Sequence, residues 1–410
     1  MEALLLMIAL TVIFGVLVMP ALRRRKERME FQQAAENAES RTRRPWDAGP
    51  DDQQGISLRK EGEPQATSPG SVTPQGLVPV EELDLRLPGP DDALVATLEE
   101  VQRTQNWRPA GQLLALTDDH ELRWQRVQSL AGAAAMELAQ WQTATGPPED
   151  TPAGDAGPLD SVSLAKDEQQ RDARWLRTWR MDEPNDPGGA EVYAQFLVWQ
   201  AMSDTGSADH RIILEEARSV AAEAARLAPQ DPVPHITELF VARGLDYRKP
   251  DFEAVWAEVT RRSRDHMGAH LAALTYWSEK WSGSKDEAYG FAQSAAGSAP
   301  PHSLLPALPL FAVYDHLPDV QLSPRMYQGA VIADAIEAAQ YALGQVRPEH
   351  SMEAHVRHLL LYFLVRAERY AEAAEQVRAI DGYVGAVPWV NSENPRSEYA
   401  GYRAMAIGRQ

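Results

Sequence analysis

Residues 361–377 read LYFLVRAERYAEAAEQV: an apolar segment, a short polar turn and a second segment with apolar residues on one side. Apolar residues recur there at spacings of three and four. In the second segment these positions are Tyr370, Ala373, Ala374, Val377 and Ile380. This spacing is typical of amphipathic helices, so the stretch predicts two helices that pack against each other as a pair.

The same periodicity continues outward through residues 91–410, and several helix ends are marked. Ser284-Lys285-Asp286-Glu287 is a capping box, and Gly297 follows the last apolar position of that helix. Ser323-Pro324 predicts the start of another helix, which Gly344 would close. Because alternating residues bounded by hairpin turns are lacking, we expect an all-α body of about a dozen helices.

Two stretches resemble the tetratricopeptide repeat. Residues 361–377 resemble the middle of such a repeat, and residues 217–232, ARSVAAEAARLAPQDP, resemble the end of its second helix and the turn that follows. Residues 250–300 are similar to bacterial helical-repeat proteins that carry a membrane anchor and have no assigned activity. The resemblance implies an α-solenoid of tetratricopeptide-like helix pairs over 91–410, and it implies no activity.

The N-terminal residues predict a membrane anchor. Ala3–Leu22 contains twenty residues without a charge, long enough as a helix to cross the hydrocarbon core of a bilayer. A cleaved signal peptide is the alternative, but the positive charges follow the apolar run instead of preceding it. We expect a transmembrane helix in residues 1–22 and a basic juxtamembrane segment in 23–40, with the N-terminus outside and the main domain cytoplasmic.

Composition predicts two segments without regular structure. Residues 41–90 hold eight prolines and many Gly, Ser, Gln and Asp residues, so we expect a disordered Pro/Gly-rich linker there. Residues 146–160 are also rich in Pro, Gly and Asp, and they predict a long loop inside the helical domain.

The charge differs sharply between the two ends of the chain. Residues 1–44 carry eight basic and five acidic residues, whereas residues 45–410 carry 32 basic and 54 acidic ones. An acidic body is poorly suited to nucleic acid, so no nucleic-acid partner is expected. The sequence contains no cysteine, which agrees with a cytoplasmic domain.

Established catalytic motifs are missing: the sequence has no Gly-rich phosphate loop, no H-E-x-x-H and no G-x-S-x-G. His266 and His270 are four residues apart and could share a metal ion, but packing and helix capping are the favoured roles. His355 and His358 are interpreted as surface histidines. The sequence therefore predicts no metal, no cofactor and no catalytic residue.

Tryptophan is the unusual feature, with nine of eleven between Trp107 and Trp281. Core packing is one explanation, since large aromatic side chains fill gaps between helices. The other is an aromatic groove for a protein or peptide, in which Trp and Arg commonly dominate the binding energy. The predicted partner-binding residues are Arg174, Trp175, Arg177 and Trp179.

The sequence therefore predicts a helical scaffold that is held at the membrane through Ala3–Leu22 and binds a protein partner at the cytoplasmic face. The alternative is a membrane-tethered enzyme of unfamiliar type, with its site in a groove between helices. The missing catalytic motifs favour the scaffold.

Overall fold

The computed structural model describes residues 76–145, 172–318 and 323–409. Within these ranges there are sixteen α-helices, three short 3-10 turns and one isolated β-bridge, between Asp84 and Tyr383. The helices are α1 Asp92–Thr104, α2 Arg108–Ala115, α3 His120–Thr145, α4 Arg174–Asp182, α5 Pro187–Ser203, α6 His210–Leu227, α7 Val233–Gly244, α8 Lys249–Arg262, α9 Met267–Tyr276, α10 Lys285–Gly297, α11 Leu308–Asp315, α12 Pro324–Tyr327, α13 Ala330–Gln345, α14 Glu353–Arg366, α15 Tyr370–Ile380 and α16 Pro395–Gly408. The prediction of an all-α domain is confirmed.

From α5 onward the helices form packed pairs in two rows. The inner row is α5, α7, α9, α11 and α14, in which each helix contacts the next. The outer row is α6, α8, α10, α13 and α15, and each outer helix packs on one or two inner ones. The sequence explains the division: all ten residues of α9 are buried, whereas α6 buries only Leu214, Ala217, Ala221 and Ala224, which form one stripe.

The long helix α3 covers the side of the inner row that faces away from the outer helices. It packs against α5, α7 and α9, and Trp124, Val127 and Leu130 on it are almost fully buried. The approach to α9 is close, because a Cβ atom at Gly268 would lie only 2.4 Å from the Trp124 ring. A glycine is therefore required at this crossing, and α3 belongs to the core.

The predicted linker 41–90 is wrong for its last residues. Residues 77–90 pack on the C-terminal helices, where Leu83, Leu85 and Leu87 are buried. Gly385 N–H donates to the Leu87 carbonyl at 2.9 Å. The alternating leucines of 83–87 supply a buried face in spite of the prolines around them, so the ordered domain begins before residue 91.

Two other predictions concern helix ends. Ser284 caps α10 by accepting a hydrogen bond from Glu287 N–H at 3.2 Å, which confirms the capping box. The single helix expected between Ser323 and Gly344 is wrong, because α12 ends at Tyr327 and α13 begins after Gly329, which adopts an extended conformation.

The predicted anchor Ala3–Leu22, the basic segment 23–40, the remainder of the linker and the loop 146–160 lie outside the described residues. None of the helices within the described ranges combines the length and the apolar character that crossing a bilayer requires.

Candidate functional site

The two predicted tryptophans of α4 lie in the core. Trp175 and Trp179 are fully buried. Trp179 stacks on Trp107 with ring centroids 5.4 Å apart, and Trp175 Nε1 donates to Glu137 Oε2 at 3.2 Å. Packing is thus the role that the structure gives to this aromatic pair.

The two predicted arginines remain at the surface. The side chains of Arg174 and Arg177 are 42% and 47% exposed, and both guanidinium groups pair with Asp172. Ion pairs this exposed contribute little to stability, so these arginines are available to a partner. That they bind one stays a prediction.

The first turns of α3 carry a buried carboxylate that caps α9. The Glu121 carboxylate accepts hydrogen bonds from the backbone N–H groups of Met267, at 3.2 Å, and Gly268, at 2.6 Å. His266 Nδ1 lies 3.3 Å from Glu121 Oε1. Burial works to raise the pKa of Glu121, but His266 and the N–H groups outweigh it, and the net shift is downward. An ionised Glu121 therefore fixes α3 to the helix N-terminus.

A second buried ion pair lies beside it. Arg123 Nη2 is 2.9 Å from Glu191 Oε2 on α5, and Arg123 Nε is 2.7 Å from Asp231 Oδ2, which precedes α7. Burial and the nearby Asp231 raise the pKa of Glu191, and Arg123 opposes this. Breaking such a buried pair leaves an uncompensated charge, so the network fixes the position of α3 against two inner helices.

The histidines are structural. His266 lies at the N-terminus of α9, with Nδ1 3.1 Å from Ala269 N and 3.3 Å from Glu121 Oε1, and His270 is buried behind it. The prediction that His355 and His358 lie at the surface is wrong, since both are fully buried on α14. Both face the core because all but a few residues of α14 are covered by neighbouring helices. In the described part of the chain, no group of His, Asp and Glu side chains could hold a metal ion.

The unusual charge is Arg243, in the last turn of α7. It is 3% exposed, and its guanidinium lies 5.4 Å from the Phe240 ring and 4.7 Å from the Trp281 ring. Burial lowers the pKa of Arg243 to about 9, which leaves it protonated at neutral pH. Among the described residues no carboxylate pairs with it and its Nε has no hydrogen-bond partner.

The other buried arginines show how different this environment is. Within the described ranges, Arg123 and Arg403 are the only other arginines classed as buried, and each pairs with a carboxylate. Arg243 therefore differs from both in carrying a buried charge without an anion.

Helix capping does not explain Arg243. The carbonyl groups of the last turn of α7 already accept backbone hydrogen bonds: Val241 O from Leu245 N–H at 2.9 Å, and Ala242 O from Tyr247 N–H at 2.8 Å. The carbonyl of Arg243 itself accepts from Asp246 N–H at 3.3 Å. These three carbonyl groups therefore do not depend on the guanidinium for a hydrogen-bond donor.

Two further donors belong to residues near the C-terminal ends of the neighbouring inner helices. The Trp199 ring, on α5, packs edge-on to Phe240 at 5.6 Å, and Ser278 lies one turn before Trp281. Trp199 Nε1 and Ser278 Oγ are both buried without a hydrogen-bond partner in the described structure. We call Trp199, Phe240, Arg243, Ser278 and Trp281 the Arg243 cluster.

Sequence reasoning missed this cluster. Arg243 is 38 residues away from Trp281 in the sequence and belongs to no motif. Only the packing of α7 beside α9 brings the two together.

No protein-family model, curated protein or solved structure gives a significant match to this chain.

Proposed function

We propose that this chain is a tetratricopeptide-like helical scaffold, held by its N-terminal segment at the cytoplasmic face of a membrane, that binds a protein partner through its surface. The observation that supports this best is where the acid–base groups lie. Glu121, His266 and His358 are buried and occupied with backbone or side-chain partners. Groups held in this way serve packing, whereas exposed arginines such as Arg177 suit an interface.

The position of α3 limits which surface a partner can use. In this domain α3 covers α5, α7 and α9 on the side that the outer helices leave open. Among the surfaces that α3 leaves uncovered is that of α4, where Arg174 and Arg177 are exposed. We propose the α4 surface as the contact.

Arg177→Glu tests this surface. We expect the variant to lose co-purification of the partner from gently solubilised membranes while its melting temperature changes little, because an exposed arginine adds little to folding. A central interface arginine can contribute 2 kcal/mol or more to binding, roughly thirtyfold in affinity. Partners are identified by mass spectrometry.

Arg261→Glu is the matched control. Arg261 is an exposed helix residue that pairs with Glu258 at 2.8 Å, as Arg177 pairs with Asp172 at 2.7 Å. A protein captured by the wild type and by Arg261→Glu but not by Arg177→Glu is the partner. Equal capture by all three would show that the α4 surface is not the binding site.

The membrane tether is tested by topology. A reporter fused after Gln410 should be active only if it functions in the cytoplasm, because the basic residues from Arg23 to Arg28 favour that side. Activity of a reporter that works only outside the cytoplasm would reverse the orientation. A mature chain that begins near Arg23 and fractionates without membranes would exclude the anchor.

A further inference from the structure

We propose that the Arg243 cluster is a binding site for an oxyanion, a carboxylate or phosphate group that pairs with the buried guanidinium. This is a separate property from partner binding at α4. It rests on a buried cation, on unsatisfied donors next to it and on the half-exposed aromatic ring that covers it.

Arg243 carries a buried positive charge. Buried charges in proteins are normally paired, because removal from water costs free energy that an opposite charge must offset. Arg243 is 3% exposed and lacks any anion among the described residues. The fold therefore retains a buried charge that no carboxylate neutralises, and an anionic ligand would supply the missing charge.

The aromatic rings do not complete its coordination. Phe240 and Trp281 attract the cation through their π systems, but neither ring offers a lone pair to the guanidinium N–H groups. A guanidinium presents a planar fork of donors that matches carboxylate and phosphate oxygens. An oxyanion would accept the hydrogen bonds from the guanidinium N–H groups that the rings cannot accept.

The surroundings add donors and an entrance. Trp199 Nε1 and Ser278 Oγ are buried donors without acceptors; the Trp199 ring packs on Phe240 at 5.6 Å, and the Ser278 carbonyl accepts from Trp281 N–H at 3.1 Å. Trp281 is 37% exposed and its ring centroid lies 4.7 Å from the guanidinium, so this ring extends from the buried charge to the surface. An anionic group attached to a flat apolar body would suit both the donors and this ring.

The test measures thermal unfolding and tryptophan fluorescence of the full chain in a non-ionic detergent at neutral pH. The probes are inorganic phosphate and benzoate, each compared with chloride at equal ionic strength. A ligand that binds only the folded state raises the melting temperature, so phosphate, benzoate or both should raise it above the chloride value. A response to benzoate alone identifies a carboxylate on an apolar body, and a response to phosphate alone identifies a phosphate group.

Arg243→Met keeps the volume and removes the charge. We expect this variant to melt no lower than the wild type without ligand, and to bind the active probe at least tenfold more weakly. Arg211→Met is the control, because Arg211 is 72% exposed on α6 and should leave probe binding unchanged. If Arg243→Met does not fold, Arg243→Lys retains the charge but not the fork and should still weaken binding.

Three results would overturn the proposal. The first is a wild-type melting temperature that responds equally to chloride, phosphate and benzoate. The second is probe binding by Arg243→Met or Arg243→Lys as strong as that of the wild type. The third is an equal loss of binding in Arg211→Met, which would show a general effect of net charge.

Discussion

Replacing Trp179 by alanine should lower the free energy of unfolding by about 3–5 kcal/mol, the usual cost of truncating a buried tryptophan. The ring is fully buried and stacks on Trp107. Its Nε1 donates at 2.8 Å to Asp186 Oδ2, and the same oxygen caps α5 by accepting from Gly189 N–H at 3.1 Å. The substitution therefore leaves a cavity between α2, α4 and α5 and removes a hydrogen bond from the cap.

Urea unfolding followed by circular dichroism measures this loss, with Trp281→Ala as the control. Because Trp281 keeps 37% of its surface exposed, its removal should cost less than that of the fully buried Trp179. Equal losses in the two variants would contradict the burial of Trp179. A folded Trp179→Ala protein that loses only its partner would instead support the aromatic groove.

Local sequence patterns account for the helices of this domain. The stripe from Tyr370 to Ile380 and the capping box at Ser284 give the correct element type, because amphipathic spacing and capping act within a few residues. The same kind of reasoning fails at Gly329. The helix start at Ser323 and the apolar stripe after it predict one helix, whereas the structure has two that are separated at Gly329.

Contacts between distant segments could not be predicted in this way. Residues 77–90 contain prolines, which suggest a linker, yet Val384 N–H donates to the Asp84 carbonyl 300 residues away at 2.8 Å. The placement of α3 against the inner row likewise depends on Glu121 reaching the start of α9. Neither pairing leaves a periodic signal in the sequence.

The same limit applies to the sites. Trp175 and Trp179 share a helix face in the sequence, but only the structure shows that α2 and α5 cover that face. His358 lies on an inner helix that is covered on several sides. Such a helix has no single polar face, so a polar residue on it need not be at the surface. Arg243 becomes notable only because an anion is missing around it.

Acid should unfold this domain well before its carboxylates are all protonated, because three histidines are buried in the neutral form. Burial lowers the pKa of His270 and of His358 to about 4, and that of His355 to about 3. His358 shows the reason in its contacts: Nε2 donates to the Pro88 carbonyl at 2.9 Å, and Nδ1 accepts from Trp389 Nε1 at 2.9 Å. A second proton on this ring would remove the bond to Trp389.

The direction of the pH effect follows from the proton balance. Between about pH 4 and 6.5 the unfolded chain binds protons at these three histidines and the folded chain does not, so stability falls as the pH falls. Each histidine contributes a slope of about 1.4 kcal/mol per pH unit. The three together give a slope of about 4 kcal/mol per pH unit near pH 5. Integrated from about pH 6.5 to 4.5, this slope removes several kcal/mol, a large part of the usual 5–15 kcal/mol of a domain, as roughly estimated from one proton per histidine.

One histidine acts in the opposite direction. Burial works to lower the pKa of His266, but the Glu121 carboxylate beside it outweighs this and the net shift is upward. The stability that this pair contributes is fully present below about pH 6.5 and is lost as the pH rises through the folded-state pKa. It offsets only part of the loss from the other three.

Urea titrations at half-unit steps from pH 7.5 to 4.5 measure the slope, and His358→Gln identifies its origin. A glutamine amide can donate to Pro88 and accept from Trp389 without titrating. The slope of stability against pH near pH 5 should therefore decrease by about 1.4 kcal/mol per pH unit, the equivalent of one proton. His302→Gln, at an exposed histidine, is the matched control. A stability that stays constant down to pH 4.5 would mean that these rings are not held neutral in the folded domain.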